Sequence, residues 1–287
     1  MMKKAFYLLC LMAFSFGFAQ TPDVFRAEYM LMPRNSVDVR TSRFKLVGNA
    51  PIPVGKDYII VGGEYNYYDY LVPENTFSGA EEIGNLYVID INLAYMHEWN
   101  EDWKVIGLVT PRWASNFNSE SSQEDFNVNF TVGAFKEKKD IDKPYRLITG
   151  ISYNSSSPVQ IPLPFIYYEK RFHPSWSYTL GVPKTGLKYF TKKQHFFQTE
   201  LILDGYYVNI QKDILLSDNS ISTAISSTTV LATFGYQYKF TKEISLYLMS
   251  GYTLFQSAVL RDKDRNDIFT INNGPGLYFR TGFRIGI

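Results

Sequence analysis

The last thirteen residues, Pro275 to Ile287, restrict most severely what this chain can fold into. From Leu277 onward, Leu277, Phe279, Thr281, Phe283, Ile285 and Ile287 fall on one face of an extended strand. Tyr278, Arg280, Gly282, Arg284 and Gly286 fall on the other. Such a strand asks for two unlike surroundings, and a transmembrane β-barrel supplies them as lipid outside and a polar lumen inside. An amphipathic strand closing a soluble sandwich or barrel is the competing reading, and the upstream sequence weighs against it.

The same period of two recurs along the chain. In Val24 to Met32, Phe25, Ala27, Tyr29 and Leu31 oppose Arg26 and Glu28; in Leu86 to Trp99, Tyr87, Ile89, Ile91, Leu93 and Tyr95 oppose Asp90 and Asn92. A soluble strand seldom places a carboxylate and an amide mid-way along its buried side, whereas a wet lumen accepts both. Phe126 to Phe135 separates Phe130 and Val132 from Asn127, Asn129 and Thr131, and Thr223 to Phe240 separates Phe234 and Tyr236 from Gln237 and Lys239. Asp90, Asn92, Asn127, Asn129, Gln237, Lys239, Tyr278, Arg280 and Arg284 are therefore the candidate lumen-lining residues. Ile91, Leu93, Phe130, Val132, Phe234, Phe283 and Ile285 are the expected lipid-facing ones. The 22 Tyr and 22 Phe, many near segment ends, suit rings held at headgroup level.

Connections alternate in length as they do in outer-membrane barrels. Val72 to Gly84, Ala114 to Asp125, Asn154 to Gln160 and Gln256 to Gly274 read as long polar loops. Asn100 to Asp102, His173 to Ser175 and Thr241 to Glu243 read as short turns. Pro51 to Lys56 reads as a turn that cannot continue a central ladder. Trp176 to Val182 is broken by Pro183, and a polar stretch follows Tyr207. Counting both pieces around Pro183 gives about fourteen strands, and merging them gives twelve. The expected fold class is all-β, a transmembrane antiparallel outer-membrane barrel.

At the other terminus, Lys3 and Lys4 precede an apolar run from Ala5 to Phe16, and Gly17-Phe18-Ala19 offers small residues before a cut. Residues 1–19 read as a cleaved signal peptide and 20–287 as one barrel domain. The single cysteine, Cys10, lies inside the leader, so no disulfide is expected in the mature chain. A formal charge of +1 gives no reason to expect a nucleic-acid partner.

The central run from Phe165 to Phe190, with Trp176, Leu180-Gly181-Val182-Pro183 and Leu187 to Tyr189, followed by the alternating C-terminal strands, resembles an uncharacterised outer-membrane β-barrel family of Bacteroidetes, numbered 6268 among the domains of unknown function. The resemblance implies a barrel over nearly the whole mature chain, and it carries no activity or site residue.

Local chemistry singles out no enzyme. His97, His173 and His195 lack ligand-like spacing, and no serine stands in a nucleophile motif. Asp262 to Asp267 has the composition of a calcium loop but lacks its glycine and closing glutamate. No catalytic residue, metal or cofactor is expected. The expected partners are outer-membrane lipid and lipopolysaccharide, the outer-membrane insertion machinery and a small solute, with no nucleic acid and no oligomeric state specified. The preferred role is a passive channel or transporter for small solutes; the alternatives are a non-conducting structural or surface-binding barrel and an outer-membrane enzyme such as a lipid hydrolase.

Overall fold

The computed structural model describes residues 23–73, 76–139, 141–155, 161–191 and 194–286; the expected leader lies outside them. The strands are β1 (Asp23–Met32), β2 (Arg40–Val54), β3 (Asp57–Leu71), β4 (Asn85–Glu98), β5 (Trp103–Ser115), β6 (Phe126–Lys138), β7 (Tyr145–Tyr153) and β8 (Leu163–His173). They continue with β9 (Trp176–Gly181), β10 (Lys184–Phe190), β11 (His195–Leu215), β12 (Ile221–Lys239), β13 (Ile244–Arg261), β14 (Asp267–Asn272) and β15 (Leu277–Gly286). From β1 to β14, neighbours in sequence pair antiparallel, and β15 joins β13 to β1, so the sheet closes on itself. β14 and β15 both pair with β13 and form one interrupted strand, which makes a 14-strand barrel. Closure leaves no free edge strand along the belt of the wall, the condition for a sheet to cross lipid.

The side-chain parity follows the expectation. Ile91, Leu93, Phe130, Val132 and Phe234 are 42–61% exposed, whereas Asp90 and Asn92 beside them are each 6% exposed. Phe283 and Ile285 keep the outward parity of the exposed Leu277 and Phe279, and the intervening Arg284 reaches Asp23 at 3.0 Å. Paired rings gather toward both ends of this apolar belt. Trp113 lies against Phe126 and Tyr67 against Tyr87 at one end; Trp176 lies against Tyr189 and Tyr168 against Tyr178 at the other. Asp23, Gly286 and the shorter turns share one end, which is periplasmic by the usual barrel rule.

Three expectations about connections are corrected. β2 does not stop at Pro51: it pairs with β3 through Pro51, Pro53 and Val54, and only Gly55-Lys56 forms the turn, with Gly55 at φ 64°. The ladder between β1 and β2 ends at Gly48, so these prolines lie where β2 has a neighbour on one side alone and a missing N–H costs little. Gln256 to Gly274 is not a long loop, because β13 runs to Arg261 and β14 begins at Asp267. The polar stretch after Tyr207 is mostly the distal half of a β11–β12 hairpin.

Strand length varies sharply around the wall. β9 and β10 have 6 and 7 residues, whereas β11, β12 and β13 have 21, 19 and 18. At roughly 3.3 Å per residue, the long strands rise well past the short ones. The barrel therefore has two tiers.

Candidate functional site

In the outer tier, the wall turns its apolar residues inward. Tyr68 and Tyr70 of β3, Leu86 and Val88 of β4, Ala114 of β5, Tyr206, Val208, Ile210 and Ile214 of β11, Ile225 of β12, Ala258 and Leu260 of β13, and Ile271 of β14 form one buried cluster. Ile83, from the loop between β3 and β4, inserts into it and is fully buried. No described residue of β6 to β10 belongs to the cluster. The reason is a bridge across the barrel. Asn209 of β11 pairs with Ser115 of β5, bringing together strands that have five others, β6 to β10, between them along the lower wall.

A large bulge in β11 makes this bridge possible: Asn209 pairs with Ala224 and Ile214 with Ser222, so residues 210–213 face a single residue of β12. The displaced backbone binds the end of β5, with Asn116 N donating to Asn209 O at 3.3 Å and Gln211 N to Asn116 Oδ1 at 3.1 Å. Asp125, in a short 3₁₀ turn before β6, fastens the contact. It is fully buried and accepts from Asn209 Nδ2 at 2.8 Å, Gln211 Nε2 at 2.8 Å and Ser122 N at 2.7 Å. Burial pushes its pKa up, but the donors from Ser115, Ser122, Asn209 and Gln211 outweigh that and hold it below the ordinary aspartate value.

The lower tier is polar on much of its inner face. A chamber of about 250 Å³ is lined there by Arg26, Arg146, Lys184, Lys188, Lys239, Arg280 and Arg284, against Glu28, Glu169 and Glu200. Seven basic side chains and three acidic ones line it, and two further carboxylates, Asp23 and Glu137, pair with Arg284 and Arg146, so it carries only a modest excess of positive charge. Glu28 is its hub: Arg43 contacts it at 3.0 Å, Arg280 at 3.8 Å, and Tyr247 Oη donates to it at 2.5 Å. Tyr247, Gly282 and Glu28 are register partners on β13, β15 and β1, and a Cβ on Gly282 would overlap the Tyr247 hydroxyl. Gly282 is thus what lets the phenol cross its strand to reach Glu28.

The nine candidate lumen residues separate between these surroundings. Gln237, Lys239, Arg280 and Arg284 line the chamber. Asp90 pairs with Arg112 at 2.6 Å, and Asn92 accepts from Thr110 Oγ1 at 2.9 Å, so both brace the wall. Asn127 stands opposite Arg112 in register, and Asn129 accepts from Ser155 N at 2.8 Å. Tyr278 is fully buried with Met30, Ile202, Leu231, Tyr247 and Met249, in a layer between chamber and outer core. Sequence reading did not single out Lys184, Lys188 or Glu200, although Lys184, Gly186 and Lys188 share one parity. The break at Pro183 obscured which face that parity belonged to.

The histidines lie elsewhere. His97 contacts Asp57 at 3.1 Å, His195 contacts the Tyr236 hydroxyl at 2.7 Å, and His173 accepts from Ser175 N at 3.1 Å. Among the described residues, no group of three or more His, Cys, Asp or Glu is placed to hold a metal.

No curated protein matches this chain in sequence. Among solved structures, it is similar to the KdgM porin in complex with disordered oligogalacturonate (8% identity, TM-score 0.38, covering 91% of this chain and 99% of that one). It is also similar to the NanC porin (11%, 0.38, 92% and 98%) and to outer membrane phospholipase A from Escherichia coli (11%, 0.36, 93% and 97%). The family model described as Domain of unknown function (DUF6268) matches residues 59–286, and the chain belongs to that family.

Proposed function

We propose that this protein is a non-conducting outer-membrane barrel, sealed toward the exterior and open toward the periplasm, whose inner chamber is a binding site. The observation that carries the reading is the apolar outer core. Ile83, Leu86, Val208, Ile225 and Leu260 are each 0% exposed. At about 1.5 to 3 kcal/mol per buried aliphatic side chain, wetting these five alone costs on the order of 7 to 15 kcal/mol. Thermal fluctuation does not open such a layer at a useful frequency. Lipid and lipopolysaccharide would contact the apolar belt, and the outer-membrane insertion machinery would place the barrel there. We assign no catalytic step to the three histidines, whose partners are a carboxylate, a phenol and a backbone amide.

The passive-channel reading keeps one specific support: β6 to β10 contribute nothing to the outer core among the described residues, so a solute path would run along that side. Reconstitution of the mature chain in planar bilayers and in solute-swelling liposomes decides between the two. The expected result is insertion of folded barrel with neither stable conductance nor solute-dependent swelling. Stable conductance of the unmodified barrel overturns the sealed reading in favour of the channel.

A further inference from the structure

Most cations of the lumen are matched by acids. Lys45 meets Glu64 at 2.5 Å, Arg112 meets Asp90 at 2.6 Å, and Arg43 is shared by Glu28 and Asp204 at 3.0 Å each. Within the chamber, Lys184 meets Glu200 at 2.6 Å and Arg284 meets Asp23 at 3.0 Å. Lys188 and Lys239 break the pattern, because neither makes an ion pair with a described carboxylate. Lys188 Nζ donates to Gln237 Oε1 at 2.8 Å, and the two ammonium groups stand 5.0 and 5.3 Å from the centroid of the same ring, Phe196. Lys188 is also near enough to Lys184, Arg284 and Lys239 for their like charges to repel it, with the carboxylate of Glu169 offsetting part of that repulsion.

An interior built only for stability gains nothing from such an arrangement, since like charges in a half-enclosed space repel more strongly than in water. It gains from it once an anion arrives. The ring of Phe196 and the amide of Gln237 fix the lysines beforehand, so less freedom is lost on binding. The buried Nε atoms of Arg26 and Arg280, two more chamber residues, make no hydrogen bond, their carboxylate partners Asp23 and Glu28 lying at 3.6 and 3.8 Å.

We propose that the chamber binds a small, soluble, multivalent anion of the phosphate or carboxylate class, held between Lys188, Lys239 and Arg284 and entering from the periplasm. The assignment rests on the reading of the chamber as a binding site and adds the ligand's chemistry. The test uses the mature chain refolded in neutral detergent, with pyrophosphate as probe and glucose as uncharged control. Pyrophosphate should raise the thermal midpoint, glucose should not, and the effect should shrink with added salt. Lys188→Gln with Lys239→Gln should weaken pyrophosphate binding at least about tenfold, a loss of one strong charge contact. Without ligand, the same double variant should melt no lower than wild type, because a repulsion has been relieved. Lys188→Arg with Lys239→Arg should keep binding, and Lys212→Gln, on the exposed distal part of β11, should change nothing.

An unaltered response in the double glutamine variant, a large fall in its ligand-free midpoint, or no response in wild type overturns the proposal. So does binding of phosphatidylglycerol in mixed micelles that pyrophosphate cannot displace, which would identify a lipid headgroup as the occupant. Conductance together with pyrophosphate binding removes the sealed reading and leaves this one; absence of both removes this one alone.

Discussion

The two tiers share strands but solve opposite problems. The outer tier, drawn together where Ser115 of β5 meets Asn209 of β11, is narrow enough to fill with side chains and is held by apolar packing around Ile83 and Leu260. The lower tier includes β6 to β10, is too wide to fill, and is organised by ion pairs centred on Glu28. What separates them is strand length. Where β9 and β10 end, the wall above loses strands and closes on itself, and a barrel with a wet interior gives way to one with a dry core.

The comparison is broken most severely by placing a carboxylate in the outer core. Leu86→Asp removes a fully buried aliphatic side chain, a loss of about 2 to 5 kcal/mol, and leaves an acid with no described partner in that cluster. The expected total is on the order of 5 kcal/mol or more. It should appear as fast amide exchange in β11 to β13 distal to Asn209, with the lower ladders still protected. Equal loss of protection in both tiers would show that they do not differ as described.

Glu28→Gln sharpens the same comparison from the other side. It keeps the shape but strips the countercharge from Arg43 and Arg280, and removing one member of a buried pair costs about 3 to 5 kcal/mol. Urea unfolding in detergent should show the loss, with exchange accelerating first in β1, β2 and β15. A variant as stable as wild type would mean that the Glu28 network is ornament to the lower tier rather than its support.

The lower tier was far more legible in the sequence than the upper. Lipid imposes the period of two, so Ile91 against Asp90 and Phe234 against Gln237 identify their faces without any structure. The outer core obeys no such rule, because both faces of a strand beyond the membrane can be apolar or polar. Val208, Ile210 and Ile214 are interleaved with Asn209, Gln211, Lys212 and Asp213, and together they read as a polar stretch. The inward parity runs unbroken through the bulge, from Ile202 and Tyr206 to Ile210 and Ile214, but the exposed Lys212 takes one of its positions and breaks the apolar signal. Half of the chamber was hidden for a related reason: Pro183 interrupts the count between Arg146 and Lys188. The bridge from β5 to β11 is a meeting of distant strands, and spacing along one chain carries no record of it.

The smallest expected effect concerns the fastening of the two tiers, and it is set by acid. The Asp125 carboxylate joins Asn209 and Gln211 to the loop before β6, and its pKa lies below the ordinary aspartate value of 3.8. Burial opposes ionisation there, yet the donors converging on the two oxygens prevail, so the ionised form is favoured more in the folded bridge than in the open chain. The stability this contributes is complete above the unfolded value, declines as pH falls past 3.8, and is gone below the folded value. Between pH 7 and 5 the bridge should therefore not respond, and below pH 4 amide exchange at 116–125 and 209–213 should accelerate ahead of the outer core. Asp125→Asn retains one acceptor and has no titration in this range, so exchange there should be faster at neutral pH and independent of acid. Bridge loosening that began near pH 6, or that persisted unchanged in Asp125→Asn, would assign the fastening to another group.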